Sequence, residues 1–262
     1  MSFLKKMFGG GNNQGNQGFS NSSQQGFGNT LHLTKEQAVQ TLNLRKETFT
    51  LVLQKSGAIS SRARVAVVMD MSGSMRPQFK DGTVQSVLER LLPVALRLDD
   101  NGELDVWLFD DGYKRLESIS ERDFYQYVDR EIMGKRENQL WGTTSYAPVM
   151  QDVFQKYVVE EPSHLPTFVI FITDGNNDDK RNTTEMMQEA SRYGIFWQFI
   201  GIGHERFEFL QKLDDLTGRV IDNANFFKLN DINVISDEEL YARLMNEYPG
   251  WEQLARQKGI LR

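Results

Sequence analysis

The stretch Ala63–Met75, ARVAVVMDMSGSM, constrains the fold more than any other part of the chain. From Val65 to Met69 it is an unbroken apolar run, rich in valine and free of polar alternation. Such a run suits a strand buried on both faces of a parallel sheet. It ends on Asp70, and Ser72 and Ser74 follow at alternate positions around Gly73. In open α/β sheets the carboxyl edge is where ligands bind. One carboxylate and two hydroxyls there form an oxygen-only donor set of the type that a hard cation such as Mg²⁺ requires. Gly73 leaves the backbone room to wrap closely around an ion.

Other short apolar runs repeat this pattern. Leu104–Phe109 reads as a second buried strand ending in Asp110 and Asp111, and Lys114–Glu117 as a short edge strand. Phe168–Thr173 is a third core strand, terminating in Asp174-Gly175. Ile195–Ile202 is a fourth, and a further strand lies around Phe226–Leu229. Between them, apolar residues recur at helical spacing, as in Val84, Val87, Leu88, Leu91, Ala95 and Leu98, where Pro93 should bend the helix. Ser120 and Asp123 predict a capped helix running to about Met133. Val149, Met150, Val153 and Phe154 mark another, Met186 to Tyr193 the next, and Glu205 to Thr217 a fourth. Thr34 with Gln37 forms a capping box for a helix reaching about Asn43, whereas Thr48–Gln54 fits either an edge strand or more helix. The stretch from Asp237 to Gly259 reads as two short helices separated at Pro249-Gly250. Strands alternating with helices in this way predict an α/β fold with a doubly wound, mostly parallel central sheet flanked by helices. Right-handed crossovers then bring Asp70, Ser72, Ser74, Thr144 and Asp174 to one edge.

Composition narrows the functional classes. With 262 residues and 39% apolar content the chain can form one large domain with extensions. A net charge of −6 argues against general nucleic-acid binding, and the absence of cysteine excludes disulfides and zinc–thiolate sites. No run approaches the roughly 20 apolar residues of a membrane span, and the opening MSFLKKMF lacks the apolar core of a secretory signal. The expectation is a cytoplasmic protein. Residues 9–29 are almost wholly Gly, Asn, Gln and Ser, and a disordered tail is expected over 1–30. Membrane or partner contact through MSFLKKMF is the lesser reading, a frayed terminus the greater.

DMSGSM, then a GTT loop, then an apolar strand ending ITDG, resembles the von Willebrand factor A (vWA) fold and its metal-ion-dependent adhesion site. ARVAVVMDMSGSM, DVWLFD and ELYARLMNEYPGWEQLARQKGIL are similar to the bacterial type associated with tellurium resistance (Ter) and stress. The resemblance covers about Leu33 to Arg262. It implies a vWA domain over 61–235, an N-terminal extension over 31–60 and a C-terminal helical extension over 236–262 packed on it. It further implies Mg²⁺ (or Mn²⁺) held by Asp70, Ser72 and Ser74, with Thr144 and Asp174 direct or through water. Thr144 fits the family's loop pattern, with Thr143 where a second glycine usually stands.

The resemblance also implies a metal-dependent protein-interaction module, whose protein partner supplies an Asp or Glu carboxylate to the ion. A metal-dependent hydrolase or phosphoryl-transfer enzyme is the alternative. It would need a positioned base or second metal, and the chain has no Walker-type loop, no HExxH and no paired histidines. The expectation is therefore a protein without enzymatic activity. Asp110 and Asp111 read as a solvated turn, with assistance to the site as the lesser alternative. Asn176 to Asp179 read as the start of a helix, with a place on the ligand rim as the alternative. His32, His164 and His204 are scattered, and Phe196, Trp197 and Phe199 read as core.

Overall fold

The computed structural model describes residues 33–175, 177–231 and 234–261. The expectations of a disordered tail over 1–30 and an anchor in MSFLKKMF lie outside them, as does Asn176. Six strands form one sheet: β1 (Arg64–Asp70), β2 (Leu104–Phe109), β3 (Tyr113–Ile119), β4 (Thr167–Thr173), β5 (Ile195–Ile202) and β6 (Ala224–Leu229). Their order is β3-β2-β1-β4-β5-β6, and every neighbouring pair is parallel except β2–β3. The expected doubly wound architecture is present, with β1 at the centre.

Alternate residues of β1, β2, β4 and β5 enter different cores, which is why those runs are largely apolar, whereas the edge strand β3 is mostly polar. Val65, Val67 and Met69 join Phe168, Ile170 and Ile172 on one face. Ala66 and Val68 join Trp107, Phe109, Val169 and Phe171 on the other. The first face is covered by α1 (Lys35–Lys55), α3 (Thr83–Leu98), α7 (Asp237–Leu244) and α8 (Tyr248–Gln257), with the short α2 (Arg76–Lys80) near its carboxyl edge. The second is covered by α4 (Ala147–Phe154), α5 (Lys180–Ala190) and α6 (Glu208–Asp214).

The ambiguous Thr48–Gln54 is helix, continuous with the capping box at Thr34 and Gln37. Phe49, Val52 and Leu53 extend the buried stripe begun by Ala38 and Leu42. Thr48 and Thr50 direct their hydroxyls to the carbonyls of Leu44 and Lys46 at 3.0 and 2.8 Å, the back-bonding that lets threonine sit inside a helix.

Three helix expectations need correction. The Ser120–Met133 segment is a turn followed by a π-helical stretch, Val128–Met133. Ser120 and Asp123 do pair, but Gln126 takes φ +53°, and Gln85 of α3 intercepts the chain through the Phe124 carbonyl and the Val128 N–H. The predicted Glu205–Thr217 helix is the shorter α6. Pro249 and Gly250 lie inside α8, in a first turn that needs no proline N–H, and the break falls at residues 245–247.

The α7–α8 segment is tied down by a buried cation. Arg90, 4% exposed, donates to Asp237 Oδ1 and to the Ile235 carbonyl, both at 2.6 Å, while the Tyr241 hydroxyl donates to the Arg90 carbonyl. Removing one partner of a buried pair leaves an uncompensated charge. Because Asp237 is partly exposed, Asp237→Ala should cost about 2–3 kcal/mol in urea unfolding. A loss below ~0.5 kcal/mol would show that the other acceptors of Arg90 suffice. No helix among the described residues is long and apolar enough to cross a membrane.

Candidate functional site

The strand order reverses direction at β1, whose two neighbours are β2 and β4, and the carboxyl ends of all three carry carboxylates: Asp110, Asp70 and Asp174. Asp70 is wholly buried. Its Oδ1 accepts the Ser72 N–H at 2.8 Å, and its Oδ2 accepts the Thr173 hydroxyl at 2.6 Å across the β1–β4 junction. The chain then turns through a 3₁₀ segment, Gly73–Met75. There the Ser72 and Ser74 hydroxyls lie 3.1 Å apart, and Ser74 donates to Asp174 Oδ1 at 2.8 Å. Four of the five expected residues thus form one hydrogen-bonded chain, through the Ser72 N–H and the two serine hydroxyls. Thr144 sits on the adjoining loop, where its carbonyl accepts the Asp178 N–H. Its hydroxyl bonds to none of the four.

Burial pushes the Asp70 carboxyl up to about 6, against the hydrogen bonds from Ser72 and Thr173 and helped by the nearby Asp174 charge. Asp174 is raised too, chiefly by burial, with Glu205 adding like-charge repulsion. Neither carboxylate has a Lys, Arg or His partner among the described residues. Beneath them Tyr146, fully buried and edge-on to Phe109, donates its hydroxyl to the Gly175 carbonyl at 2.8 Å.

Asp110 is where the sequence reading fell short. It is not a solvated turn: it is 7% exposed and accepts the N–H groups of Gly112 and Gly142, both at 2.8 Å. Its carbonyl accepts the Ser145 N–H, and the Gly142 carbonyl accepts the Gly73 N–H. The GTT loop is therefore latched to both β2 and the Ser72–Ser74 turn. A Cβ on Gly142 would come within 2.7 Å of Asp110 Oδ2 and 2.2 Å of Asp111 Oδ1, so a side chain here would displace the latching Asp110 carboxylate. Trp141, at φ +86°, precedes it, with the Arg76 guanidinium 4.7 Å from its ring centre.

Asp179 begins α5 as expected, but its carboxylate caps a different helix. It accepts the N–H groups of Tyr146 and Ala147 at the start of α4, at 3.0 and 2.9 Å. The signal for Asp110 was available, because it follows a buried strand just as Asp70 does. The cross-cap by Asp179 depends on long-range placement and left no local trace.

In chemical terms Asp70, Ser72, Ser74 and Asp174 offer carboxylate and hydroxyl oxygens. No group of three or more His, Asp or Glu side chains arranged to hold a metal occurs among the described residues. A cation here would be bound by hydroxyls as much as by carboxylates.

Comparison with known proteins agrees with this architecture. The chain is 48% identical over 222 residues to YcbR of Bacillus subtilis (strain 168), an uncharacterized protein, covering 85% of this chain and 90% of that one. The solved von Willebrand factor type A protein from Catenulispora acidiphila superposes with TM-score 0.52 at 16% identity, over 71% of this chain and 43% of that one. The manganese-loaded TRAP protein of Plasmodium vivax gives 0.52 at 19%, over 70% and 74%. Proximal thread matrix protein 1 of the mussel byssus, with a zinc-occupied MIDAS motif, gives 0.51 at 16%, over 71% and 46%. The chain spans under half the length of the Catenulispora and byssus proteins. The profile of the vWA-TerF-like family, described as the vWA found in the TerF C terminus, matches residues 62–261. With that match over most of its length and a relative at 48% identity, this chain belongs to the vWA-TerF-like family.

Proposed function

We propose that the carboxyl edge holds a divalent cation, Mg²⁺ or Mn²⁺, through Asp70, Ser72 and Ser74, with Thr144 and Asp174 bound directly or through water. The observation that carries this reading is the buried Asp70 carboxylate. It is linked through the Ser72 N–H and the Ser72 and Ser74 hydroxyls to a second carboxylate, and no cationic side chain among the described residues offsets either charge. Buried carboxylates without a positive partner are costly, and a hard cation is the partner that oxygen-only donors fit. Bound there, the ion would supply positive charge and an exchangeable, solvent-facing position. The zinc and manganese in two fold neighbours support a metal.

Asp70 and Asp174 would only neutralise a divalent charge, and the serines and Thr144 are neutral. A partner's Asp or Glu carboxylate therefore suits the open position, and the protein acts as an interaction module. The likeness to the TerF C terminus supports a role in a bacterial stress or toxic-metal resistance system. No histidine among the described residues hydrogen-bonds to the site, which favours binding over catalysis.

Calorimetry should detect Mg²⁺ or Mn²⁺ binding that disappears in Asp70→Ala while the domain stays folded. Capture of the partner should collapse in EDTA and on replacing one partner Asp or Glu. Undiminished capture in both EDTA and Asp70→Ala would place the partner on another surface. Metal-dependent turnover of phosphatase or nuclease substrates, lost in Asp70→Ala, would make the protein an enzyme instead.

A further inference from the structure

At the opposite, amino-terminal edge of the sheet, β1, β4 and β5 begin around a cavity of about 610 Å³. That is within the size range of small-molecule sites. Its basic side chains are Arg64, His164 and Arg192, with no Asp or Glu among the described residues that line it. In a chain of net charge −6, this is a cationic concavity on an acidic protein. Leu165, Ile260 and Leu261 supply apolar wall, and Tyr157 and Tyr193 aromatic wall.

Arg64 is the informative residue. It is half-buried, yet no carboxylate lies within ion-pair distance of it among the described residues. Nη1 donates to the Glu161 carbonyl, and Nη2 to the Tyr157 carbonyl and the Thr167 hydroxyl at 3.1 and 3.2 Å. Nε is buried without any partner. The guanidinium lies 4.7 Å from the centre of the Tyr157 ring. Glu161, Asp99 and Asp100 act on it only at a distance, and the Glu161 carboxylate is turned to Lys156 at 2.9 Å. A partly desolvated cation satisfied only by neutral acceptors still lacks its counter-charge. Among the described residues the Arg192 side chain is held only by an exposed contact with Glu189 at 3.3 Å, worth little in water and readily exchanged.

We propose that this cavity is a binding site for a small organic phosphate. Arg192 and His164 hold the phosphate, Arg64 supplies positive charge beside it, and the apolar and aromatic walls hold its body. Guanidinium groups pair phosphate oxygens in forked, charge-assisted hydrogen bonds, which selects phosphate over a neutral polar group. The seven residues of β1, roughly 20 Å of strand, separate this edge from Asp70, so the site does not rest on the metal reading.

The test is titration of the ¹⁵N-labelled full chain, in EDTA, with phenyl phosphate, inorganic phosphate and phenol. Phenyl phosphate should give saturable amide shifts at Arg64, His164 and Gly194. Inorganic phosphate should bind more weakly at the same amides, and phenol should leave them unmoved. Arg192→Glu should weaken phenyl phosphate binding about tenfold or more, and His164→Ala should weaken it further. No saturable shift at these amides, or an affinity unchanged in both variants, would overturn the assignment. Inorganic phosphate binding as tightly as phenyl phosphate would remove the organic body from it.

Discussion

Replacing Asp70 by Asn is expected to stabilise the metal-free protein at neutral pH and to abolish its response to Mg²⁺. The carboxyl is fully buried and pushed up to about 6 from an ordinary value of 3.8, with burial the main cause. A carboxyl raised on folding contributes stability that is fully present below pH 3.8 and is lost as pH rises through about 6. The metal-free wild type should therefore lose up to about 3 kcal/mol between those limits, a loss that Asn does not suffer. Asn also fits the hydrogen bonding. Its Oδ1 can accept the Ser72 N–H, and its amide can donate to Thr173, whose hydroxyl can turn to the Gly175 carbonyl already 3.5 Å away. Urea unfolding in EDTA should show wild type and Asp70→Asn converging near pH 4, diverging as pH rises toward 6 and fully separated above it, with the variant the more stable by about 1–3 kcal/mol. Saturating Mg²⁺ should then raise the wild type by about 2–3 kcal/mol and leave the variant unmoved. A variant less stable than wild type at pH 7.5 in EDTA would mean that the carboxylate's hydrogen bonds outweigh its desolvation.

Asp110→Ala is expected to weaken metal binding at least tenfold without removing any proposed ligand. Two backbone N–H groups lose their acceptor, at Gly112 and Gly142, at a cost of about 1–3 kcal/mol. The Gly142 carbonyl holds the N–H of Gly73, between the two serines, so the loss spreads to the turn as well as to Thr144. Asp111→Ala is the control. Its exposed side chain is a neighbour of Gly142, and its removal should change stability by less than about 0.5 kcal/mol. Calorimetric Mg²⁺ titration of both variants decides the matter. An Asp110→Ala affinity equal to wild type would show that the loop keeps its place unaided.

The features legible in the sequence were those enforced by burial on both faces. β1, β4 and β5 read directly because both faces are buried and almost wholly apolar, with Gln198 of β5 held by hydrogen bonds to Asn225, and a buried strand ending in Asp is a local pattern. What was obscured was decided at a distance. Thr48–Gln54 carries strand-like residues, and only the stripe shared with Ala38 and Leu42 makes it helix. The Ser120–Asp123 pair has the chemistry of a helix start, yet Gln85 holds the Phe124 carbonyl and the Val128 N–H in another path. Pro249-Gly250 looked like a break because both residues disfavour helix interiors, whereas the first turn accepts them. Around the candidate site, Asp70, Ser72, Ser74 and Asp174 could be picked out one by one. The latch at Asp110 and the cross-cap from Asp179 to α4 belong to the tertiary structure.

The pairing of β1 with β4 has a consequence for how the chain is made. Arg64 lies opposite Thr167, so the two central strands meet only after about a hundred residues have been synthesised between them. Closing so long a loop is entropically slow, and parallel pairing of this kind raises contact order and lowers the folding rate. A nascent chain that has reached β3 holds β1 with its β4 side open, an apolar Val65–Met69 edge with unpaired backbone groups. Until β4 leaves the ribosome, that edge is open to association with other chains.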